Sequence, residues 1–309
     1  MVSSAVITCA GRGTRNPYYF RKEMLPLFFG GSPIHLSRLD EPMQKLFPNL
    51  HLIMNQLMNV GVKYFIFVVN EKDVEVREYF ESLKDVCKIR FVVQKKPNGF
   101  GDAVLQAEKY LRHEREFFVY AGDNFLLNGE NILRRMTLGF PFIDDMRVAT
   151  MLYREVQNPS GYGVIQEYST YLEKTLKLWT GSIQVLKIEE KPPNPHTNFG
   201  VAGIYTFKPE IFDALRAMIP KSPRIYPDQD YNLELTPAIQ YLINQISIKL
   251  NYPDIFERMV INGTEVVVPS HIVHAFRVPK NVKCLSVGSP KDYIKALNAT
   301  YRQMTKIYQ

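Results

Sequence analysis

The first 125 residues alternate between two hydrophobic patterns. Runs that are apolar at almost every position, "SAVITCA" (4–10), "KYFIFVVN" (63–70), "IRFVVQ" (89–94) and "EFFVYAGD" (116–123), read as strands buried on both faces. Between them, "PNLHLIMNQLMNVGV" (48–62) carries apolar residues at helical spacing and stops at Gly61, and two further amphipathic stretches lie near 73–85 and 101–112. This βαβαβαβ order predicts a parallel sheet flanked by helices, in which ligands gather at the carboxyl ends of the strands.

From about residue 147 the texture changes. "RVATMLYREV", "YGVIQEY", "IQVLKIEEKP" and "VAGIYTFKP" read as strands joined by proline-rich or polar connections, followed by "EVVVPSHIVHAFRV" and a helix over about 290–307. The fold class expected is α/β: a mixed, mostly parallel Rossmann-like sheet with a smaller β-rich lobe. A length of 309 residues and 46% hydrophobic content fit a single domain spanning 1–309, with halves at about 1–146 and 147–309.

Charge and cysteine content narrow the partners. The net charge of +7 favours anionic ligands, but the 38 basic residues are interspersed with 31 acidic ones, which suits a phosphorylated small molecule better than nucleic acid. Cys9, Cys87 and Cys284 are far apart and lack metal-ligand spacing, as expected of a reducing, cytoplasmic compartment. "MVSSAVITCAG" lacks the basic and apolar regions of a signal peptide, and no apolar run reaches the about 18 residues of a membrane span.

The densest chemistry follows the first strand, in "CAGRGTRNPYYFRKEMLPL" (9–27). Glycines at a strand's carboxyl end let backbone N–H groups approach an anion, and Arg15 and Lys22 add charge. Neither GxxxxGK[ST] nor GxGxxG is present, so a tight βα turn with incidental basic residues remains the alternative. Asp123, after the apolar run "EFFVY", is expected at a strand end, as a metal-holding carboxylate or as a helix N-cap. Gln94 offers a donor and an acceptor suited to a pyrimidine edge, though a lone loop glutamine is more often a solvated surface residue. Charged residues beside a proline, as in "EEKP", are commonly an exposed strand end. His271 and His274, on one expected strand, read as structural.

Taken in order, "AGRGTR", "KEMLP", "QKKPNGFGDAV" (94–104), "YAGDN" (120–124), "YGVI" (162–165), "EEKP" (189–192), "NFGVAGIYTF" (198–207), "ELTPAI" (234–239) and "VGSPKDY" (287–293) resemble the sugar-phosphate nucleotidyltransferases over nearly the whole chain. The nearest branch is the UTP–glucose-1-phosphate uridylyltransferases, and "GDN" is equally at home in glucose-1-phosphate thymidylyltransferases. The resemblance implies a nucleotide-diphospho-sugar transferase fold, a sugar-binding role for the β-rich lobe, and in-line attack of a sugar-1-phosphate on the α-phosphorus of a nucleoside triphosphate, with Mg²⁺. It implies catalytic roles for Arg15, Lys22, Asp123 and Lys191, with Asp123 on the metal. Ala10, Gly11, Gly13, Thr14, Gln94 and Gly99 would bind nucleotide, Gly99 by letting the base lie close to backbone. Gly163, Glu190, Lys191 and Val201, with the neighbouring Ala202, would bind the sugar, and Glu234 would cap or orient. No β-helix hexapeptide repeats follow, so no appended acyltransferase domain is expected.

Two positions depart from the family pattern. The link from Arg15 to Lys22 is about three residues short, with Arg21 where a proline is usual, and Ser286 stands where a second metal carboxylate is common. A catalytically weak, nucleotide-sugar-binding paralogue is therefore the alternative to an active enzyme. The C-terminal helix "DYIKALNATYRQMTKIY" is either a homo-oligomer interface or packed on its own core.

Overall fold

The computed structural model describes residues 2–11, 21–29, 46–138, 147–170, 174, 181–219, 232–250, 256–261, 264–269 and 272–307. The chain divides into two compact units that interleave along the sequence: Met1–Pro97, Phe117–Arg135 and Pro279–Gln309 form the first, Asn98–Glu116 and Met136–Val278 the second. Expected elements appear close to their expected bounds, except that the helix near 101–112 is two short pieces, Phe100–Leu105 and Glu108–Leu111.

In the first unit, four parallel strands run in the order Lys88–Val93, Tyr64–Val69, Ser4–Thr8, Phe117–Ala121. The central strand explains the order: Ala5, Val6 and Ile7 are wholly buried, so both edges and both faces of Ser4–Thr8 must be covered. Val6 pairs with Ile66 on one side and Val119 on the other. Phe67 stacks on Phe80 of the helix Val74–Glu81 at 4.3 Å between ring centroids, and on Phe91 of the neighbouring strand at 5.9 Å. The chain leaves the central strand between partners reached by connections of opposite direction, the switch point where α/β sheets place their sites.

Smaller pieces complete this unit. Asn124–Leu127 pairs antiparallel with Lys283–Ser286, and Pro26–Phe28 with Leu46–Pro48. The C-terminal helix Pro290–Ile307 buries Ala296, Thr300 and Met304, a stripe at four-residue spacing, and Tyr293 Oη donates to the Pro26 carbonyl at 3.1 Å. This helix thus packs on its own unit.

The second unit holds a mixed sheet in the order Phe199–Phe207, Arg147–Glu155, Ile272–Arg277, Ser182–Glu190, Gly163–Ser169. Its pairings are antiparallel except for Arg147–Glu155 with Ile272–Arg277. Arg147 is buried at the start of its strand, donating to the Met136 carbonyl at 2.8 Å and Glu116 Oε2 at 2.9 Å. His274 is buried in the adjacent strand, and desolvation, reinforced by Arg147, lowers its pKa to about 3. A histidine held neutral inside a sheet fits its structural reading; His271 lies outside the described residues. Among the described residues no helix is long and apolar enough to cross a membrane.

Truncating Arg147 to alanine strands the Glu116 carboxylate without its cation. The expected cost is about 3 kcal/mol, read as a lower urea midpoint with little change in slope. A midpoint equal to wild type would mean that the Arg147–Glu116 pair contributes nothing to the fold.

Candidate active site

In the first unit, the exits of adjacent strands gather the expected nucleotide-side residues. The central strand ends at Thr8, and Cys9 N still donates to Val68 O at 2.8 Å, so the chain turns away only at Ala10 and Gly11. Ala10 is buried, whereas a Cβ on Gly11 would meet open space, so Gly11 leaves its turn open without being sterically required. Gly13, Thr14 and Arg15 lie outside the described residues.

Lys22 begins a short 3-10 turn, Lys22–Met24, and reaches Asp123, with Nζ 2.5 Å from Oδ2. Asp123 sits in the two-residue link between the strands Phe117–Ala121 and Asn124–Leu127, so it caps no helix and the alternative reading of "GDN" falls away. Gly122 is needed at this link, because a Cβ there would lie 2.7 Å from Thr8 O. Gln94 follows the edge strand, its N–H donating to Val69 O at 2.9 Å. At 3% exposure it is no solvated surface residue.

Two residues of this cluster escaped the sequence reading. Asn49 is fully buried, and its Nδ2 donates to the carbonyls of Gly122 at 2.8 Å and Asn124 at 3.3 Å, which flank Asp123. Its backbone N–H donates to Leu25 O at 3.1 Å, tying the Asp123 link to the "KEMLP" segment. An asparagine just after Pro48 looks like helix-start chemistry, and nothing local marks its long-range partners. Glu23 is 2% exposed and has Oε1 3.7 Å from Lys22 Nζ, and among the described residues Oε2 has no hydrogen-bond partner. Burial raises its pKa to about 7 against the opposing pull of Lys22.

Position 286 does face Asp123. Ser286 pairs with Asn124 across the small sheet, and Val287 N donates to Asp123 O at 2.9 Å. A Cβ on Gly288 would stand 3.1 Å from Ser286 Oγ and 3.3 Å from Asp123 Oδ2, so both side chains converge on a point that this glycine keeps clear. The donor set is one carboxylate and one hydroxyl. That fits a magnesium ion held largely by phosphate oxygens and water, and fits poorly an ion bound by protein alone.

The sugar-side residues cluster in the second unit. Gly163 and Glu190 pair across adjacent strands, and a Cβ on Gly163 would lie 2.6 Å from Thr236 Oγ1 and 3.3 Å from Glu190 Oε2. Lys191 has a positive φ of 46°, uncommon without glycine, and places Nζ 2.8 Å from Glu190 Oε1 and 3.7 Å from Glu234 Oε1. The hydrogen bond to Glu190 is the main reason that its pKa is raised. Asn232 Nδ2 donates to Glu234 Oε1 at 3.0 Å, the same oxygen that faces Lys191. Val201 and Ala202 lie on Phe199–Phe207, mostly buried.

Gly99 has a steric requirement of its own. Its φ is 103°, and a Cβ would sit 2.5 Å from Leu233 O and 2.6 Å from Asn232 Oδ1, so the missing side chain makes room for the chain itself.

The strand order and the turn at the switch point are those of an α/β protein whose sheet exits carry the Lys22–Asp123 pair, and residues 40–302 match the nucleotidyl transferase family. The chain belongs to that family. It is 32% identical over 79% of its length to the bifunctional protein GlmU of Methanococcus aeolicus and 35% identical over 70% to a glucose-1-phosphate thymidylyltransferase of Streptomyces antibioticus. It spans about half the length of these two relatives, 48% and 52%. A UTP–glucose-1-phosphate uridylyltransferase of Mycoplasma genitalium is 27% identical over 70% of this chain and 75% of its own. A UDP-glucose pyrophosphorylase solved with UDP-glucose superposes with a TM-score of 0.68 at 20% identity, covering 98% of this chain and 100% of that one.

The buried Glu23 predicts a pH dependence. Its folded pKa of about 7 exceeds the ordinary 4.5, so the folded state binds the extra proton and loses stability as pH rises from 4.5 to 7. Glu23→Gln should therefore gain melting temperature over wild type progressively across that window and hold the gain above it. A difference independent of pH would show that Glu23 titrates normally.

Proposed function

We propose that the protein transfers a uridylyl group from UTP to glucose-1-phosphate or a related hexose-1-phosphate, releasing pyrophosphate. The observation that carries this reading is the Lys22–Asp123 pair at the exit of the central parallel strands, beside an open glycine turn. A cation and a carboxylate placed together there suit a polyphosphate and its metal. Membership of the family supplies the reaction class.

On this reading the sugar-phosphate oxygen attacks the α-phosphorus in line, and catalysis is positioning and charge neutralisation without a covalent intermediate. Gly11, with Ala10 and the following Gly13, Thr14 and Arg15, would cradle the triphosphate through backbone N–H groups. Lys22 would leave Asp123 for phosphate oxygens as the nucleotide arrives, neutralising charge on the departing pyrophosphate. Asp123, with Ser286 beside it, would hold Mg²⁺, which when bound supplies electrophilic stabilisation at the phosphates. Gln94, buried yet at a strand end, would present its amide to the pyrimidine edge; Gly99 would also bind nucleotide. Lys191, held by Glu190 and Glu234, would bind the sugar phosphate, Glu190 would accept hexose hydroxyls, and Gly163 and Val201 would line the sugar pocket.

Two alternatives stand beside this one. The thymidylyl reaction uses the same groups, since thymine offers the same N3–H and carbonyl edge. Ser286 in place of a carboxylate favours a weak, nucleotide-sugar-binding paralogue. Pyrophosphate release measured over four nucleoside triphosphates and several sugar phosphates separates them. UTP with glucose-1-phosphate should give the highest kcat/KM; no release with any pair leaves only the binding module, and purine preference would sink the assignment of Gln94.

Asp123→Asn should abolish most turnover while the melting temperature stays near wild type, because the metal loses its only carboxylate. Ser286→Asp should lower the Mg²⁺ concentration for half-maximal activity. Near-normal activity in the first variant, or an unchanged magnesium curve in the second, would remove these residues from the metal site.

A further inference from the structure

Arg21 stands between the two strand exits that flank the glycine turn, and its guanidinium spans them. Nη1 donates to the Gly11 carbonyl at 2.6 Å, and Nε donates to Asp73 Oδ1. Asp73 is 3% exposed and is itself held: its Oδ2 accepts the Asn70 N–H at 2.6 Å, and its own N–H donates to Asn70 O at 3.1 Å. Asn70 is the first residue after the strand Tyr64–Val69, and Gly11 lies three residues past the strand Ser4–Thr8. Burial raises the Asp73 pKa, while the Asn70 N–H and then Arg21 work against it, so both partners favour the carboxylate form.

The backbone places this clamp beside the working lysine. Arg21 immediately precedes Lys22, and Arg21 O accepts the Met24 N–H at 3.0 Å, closing the turn on which Lys22 rides. One residue thus connects the Gly11 turn, the loop after the second strand, and the base of Lys22. A lysine at 21 could not do this: a single ammonium lacks the fixed planar fork that reaches a carbonyl and a carboxylate at once.

We propose that Arg21 is a positioning residue for polyphosphate binding, a guanidinium clamp anchored on Asp73 that presets the Gly11 turn and Lys22 before the ligand arrives. The proposal rests on the reading of that turn as a triphosphate cradle. Arg21 touches no reacting atom in this scheme; its effect is on the ordering that ligand binding would otherwise have to supply.

Isothermal titration with inorganic tripolyphosphate and Mg²⁺, and separately with glucose-1-phosphate, tests it on wild type, Arg21→Lys, Asp73→Asn and the double variant. Arg21→Lys keeps the charge and should weaken tripolyphosphate binding on the order of 10-fold while leaving glucose-1-phosphate affinity unchanged. Asp73→Asn should act in the same direction, and the double variant should be no weaker than the weaker single, because both remove one clamp. Hydrogen exchange of the peptide containing Gly11 should rise in all three. Tripolyphosphate affinity equal to wild type in Arg21→Lys overturns the clamp. Equal losses for both ligands with a lowered melting temperature overturn it as well, leaving a merely structural pair. Wild-type protein that binds neither tripolyphosphate nor any nucleoside triphosphate overturns the cradle reading, and the clamp's role with it.

Discussion

The nucleotide-side chemistry of this protein depends on one constraint: the strand Ser4–Thr8 is hydrogen-bonded along both edges to parallel neighbours. Parallel pairing makes strands of one sheet end on the same side, so Gly11, Asn70, Gln94 and Asp123, distant in sequence, all lie at the carboxyl ends of paired strands. Burial of Ala5, Val6 and Ile7 requires both faces and both edges of that strand to be covered, and the helices between successive strands make the pairing parallel. The candidate functional groups are then polar residues just beyond an apolar strand, where the chain emerges from the sheet.

Around those exits, charge is managed in pairs. Lys22 meets Asp123, Arg21 meets Asp73, and in the second unit Lys191 meets Glu190 and Glu234. Each of these cations has a carboxylate partner already in place. Glu23 is the exception. Buried at 2% exposure with one oxygen unpartnered among the described residues, it is a carboxyl whose ionisation is opposed by its surroundings, a few ångströms from the same lysine. A perturbed carboxyl beside a lysine is the sort of place in which function concentrates.

Glycines divide by what their missing side chain makes room for. Gly122 and Gly99 admit the protein's own carbonyls, Gly163 admits Thr236 and Glu190, and Gly288 clears the point between Asp123 and Ser286. Gly11 alone among these opens on empty space, which suits a turn meant to meet a ligand. Motif glycines that look alike in the sequence therefore serve backbone approach in one place and access in another.

The sequence by itself determined most elements of the sheet and the family. Uninterrupted apolar runs such as "YFIFVV" admit little but buried parallel strands, and the order of short motifs from "AGRGTR" to "VGSPKDY" spans the chain, so both were legible without coordinates. Tertiary structure alone decided what depends on contacts between distant residues. It moved residues 98–116 into the second unit and 279–309 into the first, buried Glu23 and Gln94, excluded Asp123 as a cap, and brought Asn49 against the carbonyls around Asp123. It also gave Gly99 its reason and Arg21 its two partners. Local patterning reports which face of an element avoids water, but burial of a single polar group and the reach of a long side chain are set by what packs against them, and that follows from chain segments tens of residues away.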